Sequence, residues 1–581
     1  MALLDADLRR ALAYVKPRWR GLALVLGLSL TSTVLALYIP YLSRLLVDRA
    51  LIGADGALLR KIIAVFAGIT LATFGLNVVS GLVYTRISAD ILFAMRLGLF
   101  RQLQRLSPRF YASMPIGQIA ARINSDIGEI QRVAAEIALA WVGNVIFLVG
   151  SIIILQALDR VLFFVSLGVL PFALWALVIY RKQLDAAMTG VRDRSADVGS
   201  FLIENLLGMK LIVGMNAQER EANRFRARND AFIGALMRMR RLTYLSGGVP
   251  GLLLSAGSGA VFLVGGMRVI DHTITMGTLV AFIAYQMRLI WPIQALMGLY
   301  TSLASAKVSL RRVHEILDAP VDVHDAPDAV PIPAVRGELA FDEVTYAYDR
   351  GAPVLDRLSL TIAPGERVAI VGRSGEGKST IADLIARQLD PQGGCLRLDG
   401  LDLRRARLAD LRRQVVVVDQ DPFVFNATIA ENIRYARPDA ADHDVLEAAR
   451  AAGLSDLLAR LPQGVDTSAG ERGRALSAGE RQRLAIARAF LADPAVLVLD
   501  EATGALDPQT ESQVAQGYEA VMRGRTTVII THRLELARRA DRVVVLERGR
   551  IVEQGSPEML IANSVSFNAL FGREQMPVST V

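Results

Sequence analysis

The residues best suited to chemistry form the run Gly372-Arg373-Ser374-Gly375-Glu376-Gly377-Lys378-Ser379-Thr380. Its three glycines let the backbone curl so that several N–H groups point at one phosphate chain. Lys378 has the length to reach the β- and γ-phosphates of a nucleotide, and the Ser379 hydroxyl is a suitable ligand for Mg²⁺. The run therefore predicts a nucleotide site that uses Mg²⁺.

The segments on either side of this run are those that a phosphate-binding loop requires. The apolar run Arg367-Val368-Ala369-Ile370-Val371 precedes it, and residues 381–386 follow with helical spacing. Strand, glycine-rich loop and helix in this order place a phosphate at a helix N-terminus. The alternative is a glycine-rich turn that matches by chance, and the correct order of lysine, serine, strand and helix argues against it.

Two carboxylates end an apolar strand far downstream of the loop. Residues 495–499 lead directly into Asp500 and Glu501. Asp500 suits the coordination shell of Mg²⁺, and Glu501 is placed to polarise a water that attacks the γ-phosphate. The pair predicts hydrolysis of the bound nucleotide.

Three further polar segments lie at strand or helix ends. Gln420 comes at the end of an apolar strand over residues 415–418, and His532 follows another over residues 527–531. Residues 476–483 open a helix whose serine and backbone amides are suited to hold a phosphate. A single glutamine or histidine at a strand end is usually structural, but in this company we expect both to belong to the nucleotide site.

The composition places part of the chain in a membrane. Hydrophobic residues make up 52% of the 581 residues, only 21% are charged, and the mean hydropathy is +0.36. This balance is too apolar for a wholly soluble protein. The net charge of +8 does not indicate nucleic acid, because the arginines crowd the segments between apolar stretches, as expected of loops that face anionic lipid. The single cysteine, Cys395, excludes an internal disulfide and a multi-cysteine metal site.

Six long apolar stretches occupy the first half of the chain. Each has the ~20 residues needed to cross ~30 Å of hydrocarbon, and a soluble protein hardly imitates six of them. They lie at residues 21–43, 62–84, 135–157, 161–180, 243–267 and 276–304. Residues 3–18 predict a short amphipathic helix on the inner membrane face, and a solvated helix packed on a domain is the alternative.

The connections between these spans alternate between short hairpins and long, arginine-rich segments. The positive-inside rule places the long connections in the cytoplasm together with both termini. Because the long connections are helical in pattern, we expect the span helices to extend well past the membrane. Turn residues near Pro115 and Gly208 interrupt them. These two tips are either small transverse helices or ordinary turns.

Within the last span, Arg288 stands among apolar residues. A charge at bilayer depth costs ~2.5 kcal/mol or more, so this side chain should face a wet cavity or a partner group rather than lipid. A substrate-cavity residue and a structural pair are both consistent with the sequence.

A change in composition divides the chain. Residues 318–336 are rich in proline and acid and lack periodicity, which predicts a linker. From residue 337 strands and helices alternate, as in a soluble α/β domain. The predicted organisation is a transmembrane domain over residues 1–317, a linker over 318–336 and a nucleotide-binding domain over 337–581.

Taken together, these motifs make the chain resemble half of an ABC transporter of the exporter architecture called type IV, similar to bacterial multidrug, lipid and peptide exporters. The resemblance covers essentially the whole length. The matching segments are Walker A (372–379), Walker B with its glutamate (496–501), the adenine-stacking aromatic (Tyr348), the Q-loop (Gln420), the signature motif (476–480), the D-loop (505–507), the switch histidine (His532) and the exporter segment that touches the coupling helices (469–473).

The resemblance implies a fold and a role for individual residues. The fold is an all-α domain of six spans with long cytoplasmic extensions, followed by an α/β P-loop (RecA-like) nucleotide-binding domain with a helical subdomain. ATP contacts are implied for Tyr348, Gly372, Arg373, Ser374, Gly375, Glu376, Gly377, Lys378, Ser379, Thr380, Ser477, Gly479 and Glu480. Catalytic roles are implied for Glu501, His532, Lys378 and Gln420, and Mg²⁺ ligation for Ser379, Gln420 and Asp500.

The resemblance also implies a dimer, because ATP is held between the Walker A motif of one nucleotide domain and the signature motif of the other. The signature reads Leu-Ser-Ala-Gly-Glu instead of Leu-Ser-Gly-Gly-Gln, and this departure removes no catalytic group. A homodimer is therefore expected, and a heterodimer stays open. The two cytoplasmic tips are implied to be coupling helices, the second docking on the partner's nucleotide domain.

The implied function is ATP-driven export of an amphipathic or hydrophobic small molecule or peptide across the cytoplasmic membrane, by alternating access. A lipid flippase, or an importer built on the exporter fold as in siderophore transporters, would share every motif. A non-transporting ABC ATPase would not need six spans. The residues leave the substrate itself open.

Overall fold

The computed structural model describes residues 14–332, 335–348, 351–500 and 508–571. It divides into two compact units. The first unit comprises Met1–Phe100 and Ala120–Leu317, and the second comprises Arg101–Ile119 and Asp318–Val581. Residues 3–13 of the predicted N-terminal amphipathic helix lie outside the described residues, and residues 16–18 form a short 3₁₀ turn.

The first unit is built from long helices. Six segments of the described chain are long and apolar enough to cross a membrane, which confirms the predicted spans. The helices are α1 (Trp19–Leu45), α2 (Gly56–Leu103), α3 (Pro108–Ser113), α4 (Ile116–Ala121), α5 (Ile127–Leu158), α6 (Arg160–Leu207), α7 (Met209–Gly214), α8 (Gln218–Ile270), α9 (Met276–Arg288) and α10 (Ile290–Leu317). Short π-helical turns follow α1 and α4.

Three of these helices are far longer than a membrane is thick. Helices α2 and α6 have 48 residues each and α8 has 53. At 1.5 Å per residue each is about 70–80 Å long, more than twice the hydrocarbon thickness. The predicted extensions beyond the membrane are therefore real features of the fold. The two predicted tips are short helices, α3 and α4 at the first and α7 at the second.

The last span is interrupted at Leu289, between α9 and α10. Pro292 lies just beyond the break, and because proline has no backbone N–H, the Arg288 carbonyl loses the helical donor it would have had from that residue. The sequence predicted one continuous stretch over residues 276–304, and the break places Arg288 at the C-terminal end of α9.

Asp48, just after α1, forms hydrogen bonds with the start of α9. Its carboxylate accepts the Gly277 backbone N–H at 2.7 Å and the Thr275 hydroxyl at 2.6 Å. Gly277 approaches so closely that a Cβ there would lie 2.5 Å from the Arg44 carbonyl oxygen. The first and last spans are thereby joined at one end.

The second unit contains two sheets. A six-stranded sheet has the order β10-β9-β3-β8-β7-β6, in which only β10 is antiparallel to its neighbour. A four-stranded antiparallel sheet has the order β2-β1-β4-β5. The strands are β1 (Leu339–Tyr346), β2 (Leu355–Ile362), β3 (Arg367–Val371), β4 (Gly393–Leu398), β5 (Leu401–Asp402), β6 (Val415–Val418), β7 (Val496–Asp500), β8 (Thr526–Ile530), β9 (Arg542–Glu547) and β10 (Arg550–Gly555).

Strand β3 is buried on both faces, which explains its unbroken apolar sequence. Val368 and Ile370 belong to the core that contains the four-stranded sheet, and Ala369 and Val371 belong to the core formed with the helices. The helices of this unit are α11 (Lys378–Ile385), α12 (Leu408–Gln414), α13 (Ile429–Arg434), α14 (Asp442–Ala451), α15 (Ser455–Arg460), α16 (Ala478–Ala492), α17 (Pro508–Met522), α18 (Leu534–Ala537), α19 (Pro557–Asn563) and α20 (Val565–Phe571).

The first tip belongs to the second unit. Gln102 donates to the Ala319 carbonyl at 3.1 Å, and the Ser107 hydroxyl donates to the Asp322 carboxylate. These bonds attach the tip to the segment that precedes β1. Of that segment, residues 318–332 carry turns and a single bridge from Val330 to Ala406. The predicted domain boundaries at residues 317 and 336 stay predictions.

Candidate functional site

Four parallel strands bring the predicted residues to one edge of the six-stranded sheet. In β3, β8, β7 and β6 the chain runs in the same direction, so the segments that follow these strands emerge together. The glycine-rich loop follows β3, His532 follows β8, Asp500 ends β7 and Gln420 follows β6. This edge is therefore the candidate site, as the strand ends predicted.

The loop depends on its glycines. Gly375 has a φ of 89° and Gly377, the N-cap of α11, has a φ of 97°, a region that other residues rarely adopt. At Gly372 a Cβ would lie 2.5 Å from the Leu546 carbonyl oxygen. The loop can close against its neighbours only because these positions lack a side chain.

Lys378 is held inside the loop. Its Nζ donates to the carbonyl oxygens of Gly372 at 2.9 Å and Arg373 at 2.7 Å, and the side chain is buried. These bonds hold the ammonium against the backbone of the loop whose N–H groups are suited to a phosphate. A nucleotide phosphate fits that position.

The first turn of α11 offers one exposed and one buried hydroxyl. Ser379 is exposed and open to a ligand, whereas Thr380 is buried. The Thr380 hydroxyl lies 3.0 Å from the hydroxyl of Tyr348, and the Tyr348 ring packs edge-on against Tyr346 at 5.2 Å between centroids. Tyr348 is therefore positioned beside the loop, where the resemblance implied an adenine-stacking aromatic.

Glu376 points away from the phosphate position. Its carboxylate accepts the backbone N–H of Arg548, in the turn between β9 and β10. Arg373 and Ser374 of the same loop are exposed. The Glu376 side chain thus ties the loop to the turn between β9 and β10, and its implied contact with ATP stays a prediction.

Negative charge collects at the ends of β6 and β7. Burial of the Asp383 carboxyl on α11, together with the Asp500 and Asp419 carboxylates nearby, raises the pKa of Asp383 to about 6. A cation placed among these groups would offset the repulsion that this pKa reports. No cluster of three or more His, Cys, Asp or Glu with metal-site geometry occurs in the described part of the chain. The residues fit a Mg²⁺ ion that takes most of its ligands from nucleotide phosphates and water.

A buried hydrogen-bond chain positions Gln420. The amide of Gln482 on α16 donates to the Gln420 carbonyl at 2.6 Å, and its oxygen accepts the Tyr518 hydroxyl of α17 at 3.0 Å. Gln482 and Tyr518 are almost fully buried, and burial raises the pKa of Tyr518 so that it stays a neutral donor. The segment after β6 is therefore fixed through two helices.

His532 is exposed one residue beyond Thr531, whose buried hydroxyl accepts the Arg533 N–H at 3.0 Å. The turn that this bond closes sets the direction of the histidine. Glu501 and the D-loop, residues 505–507, lie outside the described residues. The predicted catalytic base therefore stays a prediction.

The signature segment starts α16 with a capping box. The Ser477 hydroxyl accepts the Glu480 N–H at 3.2 Å, and the Glu480 carboxylate accepts the Ser477 N–H at 2.7 Å. Glu480 also pairs with Arg460 at 2.9 Å. Gly479 is buried in the first turn. The side chains of Ser477 and Glu480 thus complete the helix start, which organises the backbone amides that the resemblance assigns to a phosphate.

Sequence reasoning missed two residues of the nucleotide edge, Asp383 and Gln482. Asp383 sits five residues after the loop lysine, in a run read only for its helical spacing. Gln482 was part of the signature segment but received no role. Gln482 lies on the buried side of α16. Because a buried amide needs hydrogen-bond partners, a glutamine at this helical position could have indicated its role.

A second candidate site lies in the first unit. A cavity of about 480 Å³ is lined by residues of α1, α2, α5, α9 and α10. Arg288 is one of them, and its guanidinium donates to the Ala36 carbonyl at 3.2 Å. Arg288 thus lines a cavity and also has a backbone partner, while its role towards a substrate stays a prediction.

Family models match both the spans and the nucleotide-binding part of the chain. The family model of the ABC transporter transmembrane region matches residues 22–293, and the family model of the ABC transporter matches residues 355–504. An uncharacterized ABC transporter ATP-binding protein of Bacillus subtilis (strain 168) is 34% identical over 560 residues, which cover 96% of this chain and 92% of the relative. The ATP-dependent lipid A-core flippase of Syntrophus aciditrophicus (strain SB) is 32% identical over 534 residues, covering 92% and 88%.

The same similarity extends to three dimensions. The structure of a bacterial Atm1-family ABC exporter with ATP bound aligns with a TM-score of 0.78 at 28% identity. The alignment covers 99% of this chain and 100% of that structure. Both units are therefore shared with a single known architecture.

Proposed function

The chain belongs to the ABC transporter family, and on that basis we propose that it exports an amphipathic or hydrophobic small molecule or peptide across the cytoplasmic membrane. Membership makes it a multi-pass membrane protein whose nucleotide-binding unit hydrolyses ATP to drive transport. The observation that carries the proposal is the union of six spans and a complete phosphate-binding loop in one chain. The predicted family and fold class are confirmed.

The proposed chemistry assigns each strand end a task. Lys378 and the loop N–H groups hold the β- and γ-phosphates, and Tyr348 stacks on adenine. Glu501 removes a proton from the attacking water, and His532 contacts the γ-phosphate. Mg²⁺ would be held by Ser379, Gln420 and Asp500, and when bound it supplies positive charge to the phosphate oxygens.

We further propose that the functional unit is a homodimer. Each chain carries one phosphate-binding loop and one signature segment, so two copies form two complete sites. The second tip is apolar and exposed, with Leu207 84% and Leu211 64% exposed. Exposed apolar surface of this kind is typical of a site that binds another protein surface.

The aromatic patch formed by Phe423, Phe425 and Tyr435 is a suitable surface for that tip. The Phe425 ring contacts both of the others, and all three are exposed. Arg488 fixes their backbone by donating to the Phe423 carbonyl at 2.6 Å and the Asn432 carbonyl at 2.7 Å. Docking of the second tip on the aromatic patch of the other copy would transmit nucleotide-driven closure to the spans.

The orientation follows from the arginines. The long connections carry most of the positive charge of the first half of the chain, so they and both termini are assigned to the cytoplasm. A lipid flippase is the second candidate function, favoured by the similarity to the lipid A-core flippase. The importer alternative differs in direction, which inside-out and right-side-out vesicles separate.

Glu501→Gln tests the proposed chemistry. In nanodiscs the variant should bind ATP normally and lose at least about 100-fold in turnover, because the general base is neutral. Glu447→Gln, which neutralises an exposed carboxylate of the same unit, is the control and should retain turnover. Near-normal hydrolysis by Glu501→Gln would contradict the assignment of the base. ATP-dependent uptake of a labelled amphiphile by inside-out vesicles tests export itself.

A further inference from the structure

The cavity of the first unit is built from polar faces of helices that are otherwise apolar. Helix α1 contributes hydroxyls at a helical spacing that places them on one face, from Ser29, Ser32 and Thr33. Helix α2 contributes Thr73 and Asn77, one turn apart. Side chains of this kind are costly against lipid, so their convergence marks a space that water or a ligand fills.

Much of this polarity is satisfied within the protein. The Ser32 hydroxyl donates to the Asn77 side-chain oxygen at 2.9 Å, and the Thr33 hydroxyl donates to the Ser29 carbonyl at 2.9 Å. These bonds keep the cavity wall stable without a ligand. Asn77, which lines the cavity, takes part in the first of these bonds through its side-chain oxygen.

Arg288 is the cation of the cavity. The lining residues include no carboxylate, and within the described part of the chain Arg288 forms no ion pair. The hydrogen bond to the Ala36 carbonyl, the one it forms among the described residues, uses a single N–H of the five that a guanidinium carries. The charge is therefore stabilised by the backbone of α1 and by the C-terminal end of α9, but it is not neutralised.

Aromatic surface lies beside this charge. Trp291, three residues beyond Arg288, is 75% exposed, and Phe147 of α5 also lines the cavity. Gly143 of α5 faces the polar side of α1, since a Cβ built there would lie 3.8 Å from the Ser29 and Thr33 hydroxyls. The cavity thus combines a positive, hydrogen-bonding end with apolar surface.

We propose that the transported molecule carries an anionic head group that binds Arg288, with an apolar portion against Trp291 and Phe147. The head group is a carboxylate, sulfonate or phosphate, because a guanidinium pairs with such planar or tetrahedral oxyanions through two parallel N–H bonds. This inference rests on the proposed export function and narrows its substrate class. A cationic amphiphile would leave Arg288 facing a like charge.

A matched set of lauroyl probes tests the proposal. N-lauroyltaurine is anionic, N-lauroylethanolamine is neutral and lauroylcholine is cationic, while N-acetyltaurine keeps the anion and lacks the chain. The full-length protein in nanodiscs is assayed for ATPase stimulation by each probe below its micellar concentration, and in proteoliposomes for ATP-dependent movement. N-lauroyltaurine should stimulate and be moved, and the other three should do so at least about 10-fold less effectively.

Variants at position 288 locate the effect. Arg288→Gln should raise the half-stimulating concentration of N-lauroyltaurine at least about 10-fold, whereas Arg288→Lys, which keeps the charge, should recover part of the loss. Arg288→Glu should gain a response to lauroylcholine, a gain that misfolding cannot produce. Arg238→Gln removes an exposed arginine from α8 of the same unit and should respond as the wild type does.

The outcomes separate this inference from the export function. Movement of lauroylcholine or the neutral probe in preference to N-lauroyltaurine would overturn the anionic substrate and leave export standing. An unchanged N-lauroyltaurine response in Arg288→Gln would overturn the role of Arg288. ATP-dependent movement of none of the probes would overturn both proposals, and an equal response to N-acetyltaurine would overturn the apolar part.

Discussion

The edge of the six-stranded sheet and the membrane cavity have opposite electrostatic character. Asp383, Asp419 and Asp500 gather at the sheet edge, whereas the cavity lining holds Arg288 and no carboxylate. The sheet edge therefore needs a cation to accompany its anionic nucleotide, and the cavity suits an anion directly. We therefore expect the two sites to select ligands of different charge, because carboxylates gather at one and a guanidinium lines the other.

The two sites also differ in how their residues are assembled. The phosphate-binding loop is one continuous run, so nearly all its contacts follow from local backbone geometry. The cavity draws one to four residues from each of five helices. A single substitution should therefore abolish function at the sheet edge, while it should shift selectivity at the cavity.

The largest expected effect comes from Lys378→Ala. Loss of the ammonium removes the charge that crosses the loop and should reduce ATP turnover at least about 100-fold, with weaker ATP binding. Turnover and nucleotide binding in nanodiscs provide the measurement. Arg412→Ala removes an exposed cation from α12 and should leave turnover unchanged. Wild-type turnover in Lys378→Ala would contradict the assignment of this loop as the phosphate site.

A smaller loss is expected from Gln482→Ala. The change leaves the buried Tyr518 hydroxyl and the Gln420 carbonyl without the partner described above, at a cost of about 1–3 kcal/mol in unfolding free energy. Because Gln420 is then less well placed, kcat should fall more than the affinity for ATP. Thermal unfolding and steady-state kinetics check both effects.

Two controls sharpen that result. Gln463→Ala removes an exposed glutamine and should change neither quantity. Tyr518→Phe removes only the hydroxyl, so it should lower stability but spare most of kcat. Equal losses of kcat in Gln482→Ala and Tyr518→Phe would mean that packing, rather than the bond to Gln420, matters.

The smallest effect is a gain in stability from Asp383→Asn. The folded pKa of about 6 lies above the ordinary 3.8, so the folded state loses stability as the pH rises through this window and bears the full cost above pH 6. Asparagine removes that cost, by about 1–2 kcal/mol because the group is only partly buried. The difference from wild type should vanish below about pH 4.

Unfolding without nucleotide between pH 4 and pH 8 measures the effect. Asp439→Asn, an exposed carboxyl outside the site, is the control and should show no such pH dependence. A stabilisation that is independent of pH would contradict the charge repulsion at the sheet edge, and with it the contrast between the two sites.

The sequence was most informative where function depends on contiguous residues. The glycines, Lys378 and the strand ends could be located because backbone conformation dictates their types and spacing. The six spans could be located because hydrocarbon thickness fixes their length. The roles of Asp383 and Gln482 could not be predicted, because their partners come from distant elements. The cavity could not be predicted either, because its serines, threonines and asparagines come together only when the helices pack.

Arg288 could be predicted from the sequence only in part. The cost of its charge in the membrane predicted that it faces a cavity or a partner group, but the hydrogen bond to Ala36 depends on the packing of α1 against α9. The residue type was readable and its surroundings were not.

The hydrogen bonds between Asp48 and the start of α9 limit which positions of the transporter can change during evolution. Position 29 lines the cavity and contributes its backbone carbonyl, not its hydroxyl, to the bond with Thr33, so we expect substitutions there to change substrate preference without disturbing the helices. Position 277 accepts no side chain, because its neighbours are a backbone carbonyl and a carboxylate that cannot withdraw together. In a library selected for a new transported molecule, we therefore expect substitutions to concentrate in the cavity wall while glycine persists at 277. The contact between the first and last spans would then stay constant while the cavity changes.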